Sequence, residues 1–194
     1  MAKRSETDIQ SDAPPAALKD PNPAAAGLSI DPDDSGDLIG RTVTINVPRQ
    51  ALYAFWRDFR NLPLFMENIE SVRVYDERRS HWMVKGPGDS TVEWDSVIVE
   101  DNPGESIAWS TTDKAEVPNS GRIEFRDTSN GRGTQVTVNI VYDPPVGKLG
   151  KAMAKLFGRE PNIQARQDLR RFKQLMETGE IPTSAMNPSA LNEE

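Results

Sequence analysis

The chain has 194 residues, 30 acidic side chains against 23 basic ones, a net charge of −7, one histidine and no cysteine. These totals suit one domain of ordinary size plus extra chain, and they exclude a disulfide framework, a thiolate nucleophile, a cysteine-held metal and a multi-histidine metal site. An apolar fraction of 36% with 15 prolines is low for a chain folded throughout, so composition is read by region.

Residues 1–39 hold five prolines, seven alanines and eight acids against three bases. Their few large apolar side chains follow neither a helical nor a strand period, so burial cannot offset an ordering cost of roughly 1–2 kcal/mol per residue. This segment is expected to be a disordered acidic arm. The remaining residues carry 22 acids and 20 bases, so the expected folded part is close to neutral. Lys3 and Arg4 are not followed by an apolar signal segment, and no apolar run approaches the roughly 20 residues of a membrane span. A cytoplasmic protein is expected.

From Arg41, "RTVTINVP" alternates with Val43, Ile45 and Val47 on one side, which predicts a half-buried strand stopped by Pro48. Proline suits a helix start, and "RQALYAFWRDF" places Leu52, Phe55, Trp56 and Phe59 on one helical face. Asn61 is positioned to cap a second short helix through Pro63 and Met66. Six strand-like segments follow: "IESVRVYDE", "HWMVKG", "TVEWDSVIVE", "SIAWSTT", "GRIEFRD" and "TQVTVNIVYD", separated by turn signals that include Asn130-Gly131. Short turns imply antiparallel neighbours. Beyond Pro144 and Pro145 the period becomes helical through Leu149, Met153, Leu156, Phe157, Ile163, Leu169, Phe172, Leu175 and Met176, interrupted near Gly158 and Pro161 and ended by Gly179 and Pro182. Residues 180–194 read as a flexible tail.

The order is strand, two short helices, about six strands, long helix. It predicts an α+β helix-grip fold over residues 40–179, a curved antiparallel sheet of about seven strands with the C-terminal helix packed over a cavity. From about Arg41 to Glu177 the chain resembles the START-like superfamily (SRPBCC; polyketide cyclase/dehydrase and lipid transport), close to its bacterial cyclase/dehydrase or coenzyme Q-binding-like branch. The resemblance rests on "VPRQALYAFWRDFRNLPLFMENIESV", "EWDSVIVEDNPGESIAWS", "GRIEFRD" with "TQVTVNIVYDPP", and "DLRRFKQLMETG". It implies a small hydrophobic ligand (lipid, quinone or polyketide-like) held between sheet and helix. Some members of the superfamily are enzymes, and many only carry or sense their ligands.

Alternation on "TVEWDSVIVE" turns Val92, Trp94, Ser96 and Ile98 inward and sends Glu93 and Asp95 to solvent unless a bulge intervenes. The same count brings Ile107, Trp109, Ile123, Phe125, Val136, Val138, Ile140 and Tyr142 to one face, with Met153, Phe157 and Phe172 opposite. Phe65 and Met66 are expected at the mouth. The cavity set is therefore Phe65, Met66, Trp94, Trp109, Phe125, Val138, Tyr142, Met153, Phe157 and Phe172, each of which could equally be core. Tryptophan and tyrosine suit a greasy ligand bearing one or two oxygens. His81 is expected in an exposed hairpin turn beside Arg78 and Arg79. No nucleophile motif, phosphate loop or dinucleotide fingerprint occurs, so no catalytic residue, cofactor or metal is assigned and binding is favoured over catalysis. An aromatase/cyclase or dehydratase of the same fold is the alternative.

Lys148, Lys151, Lys155 and Arg159 form a basic stripe at helical spacing. It reads as the solvated face of an amphipathic helix, or as contacts to an anionic membrane surface. The second reading makes the chain a membrane-surface or stress-linked interaction module. Nucleic acid is not an expected partner, because the domain lacks overall basic charge and aromatic-basic interleaving.

Overall fold

The computed structural model describes residues 37–86, 90–112, 115, 117–142 and 161–180. Residues 1–36 of the expected arm, residues 181–194 of the expected tail and the segment 143–160 lie outside them, while residues 37–39, expected in the arm, open the first strand. Seven strands form one antiparallel sheet: β1 (Asp37–Ile45), β2 (Ile69–Val74), β3 (Arg79–Lys85), β4 (Thr91–Asn102), β5 (Ser106–Thr111), β6 (Asn119–Asp127) and β7 (Thr134–Tyr142). Their spatial order is β1-β7-β6-β5-β4-β3-β2. Five hairpins run from β2 to β7, and β1 closes the far edge against β7. This is the helix-grip arrangement that the element order implies. β1 begins at Asp37, four residues before the first residue of the alternating run, because Asp37 to Gly40 continue the ladder opposite Tyr142 to Asn139.

α1 (Arg49–Arg57) follows Pro48, whose carbonyl accepts the backbone N–H groups of Ala51 and Leu52 at 3.0 and 3.3 Å. Leu52 and Trp56 are its buried residues, four apart on one face. A 3-10 helix (Phe59–Leu64) comes next. Its cap is not Asn61 but Asp58, which accepts the Arg60 backbone N–H at 3.2 Å. The helix starts three residues earlier than a cap at Asn61 would set it, so Asn61 falls inside it and its Nδ2 donates to the Phe55 carbonyl at 2.9 Å.

α2 (Pro161–Thr178) packs along β1. Lys173 Nζ donates to the Thr44 carbonyl at 2.7 Å, and Glu177 Oε1 accepts the Asn46 backbone N–H at 2.7 Å. Leu169, Phe172 and Leu175 are buried. Phe172 sits among Phe65, Trp56 and Phe55, with ring centroids 4.9, 5.0 and 6.0 Å away. This cluster joins both ends of the helical layer. Among the described residues no helix is long and apolar enough to cross a membrane.

On β4 the even positions Trp94, Ser96 and Ile98 are buried while Glu93 and Asp95 are exposed, as alternation implies. A register shift between Ile98 and Glu100 then inserts one residue. Past the bulge the odd residue Asp101 stands opposite inward-facing Ile107 and meets α1: the Tyr53 hydroxyl donates to its Oδ1 and Arg57 Nε to its Oδ2 at 2.7 Å. Burial, with the neighbouring Asp101 carboxylate, pushes the Tyr53 hydroxyl up to about 12. The bulge thus creates a polar brace between α1 and the sheet.

Candidate functional site

Between the concave face of the sheet, the α1–3-10 layer and α2 lies a cavity of about 120 Å³. All four tryptophans of the chain line it: Trp56 from α1, Trp82 from β3, Trp94 from β4 and Trp109 from β5. Phe59 packs against two of them, with centroids 5.4 Å from Trp82 and 6.2 Å from Trp109. Trp82 stacks on Trp94 at 6.4 Å and 12°, and its Nε1 donates to Ser80 Oγ at 2.9 Å. Gly121 makes room for Trp109, since a Cβ there would stand 2.2 Å from the indole ring. Aromatic side chains on alternate strand positions therefore build a rigid apolar wall.

The polar lining residues are few: Asn68, Asn119, Gln164 and Asp168. Asp168 is the charged one, and its side chain is only 14% exposed. Gln164 Nε2 donates to its Oδ1 at 3.0 Å, the Glu67 backbone N–H donates to the carboxylate, and Arg171 stands 3.8 Å off with its own ion pair to Glu67 at 2.8 Å. Burial dominates these partners and pushes Asp168 up to about 7. The carboxyl is thus an acid poised near neutrality in an apolar chamber. The Trp56 Nε1 is itself buried and has no acceptor among the described residues.

Of the cavity residues predicted from alternation and helical period, Met66, Trp94, Trp109 and Val138 line this space. Phe65, Phe125 and Phe172 are buried beside it, packed on other aromatic rings, and are not among its walls. In the apolar run at 64–66, the three side chains part company: Leu64 is 42% exposed, Phe65 is buried in the core and Met66 reaches the cavity. Tyr142 ends β7, and its side chain lies outside the described residues, as do Met153, Phe157 and the stripe Lys148, Lys151, Lys155 and Arg159.

Asp168 belongs to no motif that assigns it a role from sequence. A signal was present: it lies four residues before Phe172, one before Leu169 and three after Ala165, which is the inward helical face.

His81 is not in a turn. It lies within β3, its Nδ1 2.8 Å from Asp95 Oδ1 and its Nε2 3.4 Å from Glu93 Oε2. The β3–β4 register puts His81 directly opposite Asp95, so pairing on the strand rather than exposure in a loop sets its surroundings. Ser80, Trp82 and Val84 point inward on the same strand, which leaves His81, Glu93 and Asp95 on the outer face, away from the cavity. Glu124 is on the outer face too, held by Arg122 at 3.2 Å and Arg126 at 3.2 Å. Among the described residues no three His, Asp or Glu side chains are grouped so as to hold a metal ion.

Comparison with known proteins agrees with this architecture. The chain is 39% identical to a Deinococcus radiodurans protein, DR_A0006, of known crystal structure, with a TM-score of 0.62 over 74% of this chain and all of that one. The aromatase/cyclase Zhui of a Streptomyces species shares the fold at 15% identity, with a TM-score of 0.59 over 74% of this chain and 98% of its own. A Streptomyces lincolnensis protein of uncharacterised role is 26% identical over 141 residues, which are 72% of this chain and 89% of that one. Residues 45–170 match the model of the family described as polyketide cyclase/dehydrase and lipid transport, and the chain belongs to that family.

Proposed function

We propose that the protein binds a small hydrophobic ligand in the cavity between sheet and α2 and acts as a carrier or sensor rather than as a catalyst. The observation that carries this reading is the lining itself: four tryptophans and aliphatic side chains, with polar groups reduced to three amides and one carboxyl. Small-molecule sites combine an apolar wall with a few orienting polar groups in this way. Membership of a family named for cyclases, dehydrases and lipid transport is consistent with it.

Native mass spectrometry of the full chain purified from its own host tests the proposal. A non-covalent adduct released on denaturation is the expected result. Ligand-free protein whose tryptophan emission fails to respond to lipophilic compounds sinks it.

Asp168 favours a second reading, a cyclase or dehydratase in which this carboxyl moves a proton. Its position in the cavity and its elevated proton affinity are what a general acid needs. Turnover of a polyketone substrate that is lost in Asp168→Asn would establish that reading.

A further inference from the structure

α2 is fastened unevenly along its length. In its C-terminal half Phe172 is packed among Phe55, Trp56 and Phe65, Leu175 is buried, and Lys173 and Glu177 bond the Thr44 carbonyl and the Asn46 N–H at 2.7 Å each. The N-terminal half covers the cavity with Gln164, Ala165 and Asp168, yet none of residues 163–168 is fully buried. Across a seam from it, Met66 and Asn68 complete the same wall. These two are tied down on their own side, the Met66 N–H to the Leu62 carbonyl and the Lys85 N–H to the Asn68 carbonyl, both at 2.9 Å. Among the described residues, the polar contacts that hold the helix across the seam converge on Glu67. Its carboxylate takes Arg171 Nη2 at 2.8 Å, and its N–H donates to the Asp168 carboxylate. The guanidinium has bonding capacity left over: Arg171 Nη1 is buried with no hydrogen-bond acceptor, 3.8 Å from Asp168 Oδ1.

We propose that the N-terminal half of α2 is a hinged cover over the cavity, latched at Glu67, in which Arg171 passes from Glu67 in the closed form to Asp168 in the open one. A buried charged donor without a partner is costly, and Asp168 is the acceptor within reach, three residues back on the same helix. Asp168 travels with Arg171 when the helix swings out, so the new pair replaces the one that opening breaks. Glu67 is already 51% exposed and loses little by being left in water. An ion pair between partly exposed groups is weak enough to part and re-form, whereas the rings around Phe172 stay packed and serve as the pivot. One guanidinium shared between carboxylates on opposite sides of a seam is thus a two-state element. It governs access to the cavity and is independent of what the cavity takes.

Two measurements on the full-length protein test this. Amide hydrogen exchange, resolved by peptide, reports which half of α2 opens, and acrylamide quenching of tryptophan emission reports access to the cavity that all four tryptophans line. Glu67→Ala removes the latch and should raise both exchange within residues 161–169 and quenching by roughly twofold to fivefold, the worth of a partly exposed ion pair. Residues 172–178 and the strands should exchange as in the wild type. Asp168→Asn takes away the anion that receives Arg171 in the open form while keeping an oxygen for the Glu67 N–H, so it should lower both signals. Opposite effects from the two carboxylates beside one guanidinium distinguish a moving latch from a static brace. Unchanged exchange in Glu67→Ala, an increase spread evenly over α2 and the sheet, or an Asp168→Asn protein that opens as readily as the wild type or more so overturns the proposal. None of these outcomes bears on whether the cavity binds a ligand, which mass spectrometry decides separately.

Discussion

Asp168 shows how one side chain can report on its whole neighbourhood. Its proton affinity is raised by burial from the ordinary 3.8 to about 7, so between those values the folded chain keeps a proton that the unfolded chain has lost. Stability must therefore fall as pH rises from about 4 to about 7 and level off above, by an amount on the order of 4 kcal/mol at most. Asp168→Asn removes this slope. Urea titrations at several pH values should show the variant gaining on the wild type from about pH 4 to pH 7 and holding a constant advantage beyond. Parallel curves for the two proteins would show that Asp168 is not desolvated as its surroundings demand.

At the scale of elements, aromatic contacts knit the helices and the turn at Phe65 into one layer. Phe172 on α2 is fully buried and meets rings from α1 and from the turn after the 3-10 helix. Phe172→Ala should cost about 3–5 kcal/mol through lost burial and the cavity left behind. Leu64→Ala, on an exposed side chain in the same stretch as buried Phe65, should shift stability by less than about 0.5 kcal/mol. Chemical denaturation of both variants measures the contrast, and equal losses would contradict this packing. The ion pair across the same seam, Arg171 with Glu67, and the pair within α2, Lys173 with Glu177, are partly exposed and add less than the rings do.

For the whole molecule, the consequence is a single cooperative unit with a built-in probe. Sheet, α1, the 3-10 helix and α2 share one hydrophobic core, and every tryptophan faces the same cavity. Tryptophan emission and far-UV circular dichroism should therefore lose their native signals in one coincident urea transition. A separate early change in emission would mean that the helical layer comes away before the sheet unfolds. The outer face is a different environment: it carries His81 between Asp95 and Glu93, and Arg122 between Glu100 and Glu124. Charge is thus concentrated on one side of the sheet and apolar surface on the other.

Most of this architecture was legible in the residues. Strict alternation revealed the inward faces of β4 to β7, and the 3-4 spacing of Leu52, Phe55 and Trp56 revealed the buried side of α1, while Phe59, expected on the same helix, opens the 3-10 helix instead; both patterns are local consequences of backbone geometry. The order of elements was enough to imply the sheet and the helix that covers it. Tertiary structure decided what periodicity cannot encode. The bulge after Ile98 turned Asp101 toward α1, and strand register gave His81 its carboxylate partners. The meeting of residues 67 and 168, a hundred positions apart in the chain, placed an acid against an apolar cavity. Alternation named Trp94 and Trp109 as inward, but only packing determined that the four indoles leave a cavity rather than filling the space. Local pattern specifies which face a side chain takes; proton affinity and cavity volume are sums over long-range neighbours, and they exist only once the chain has closed on itself.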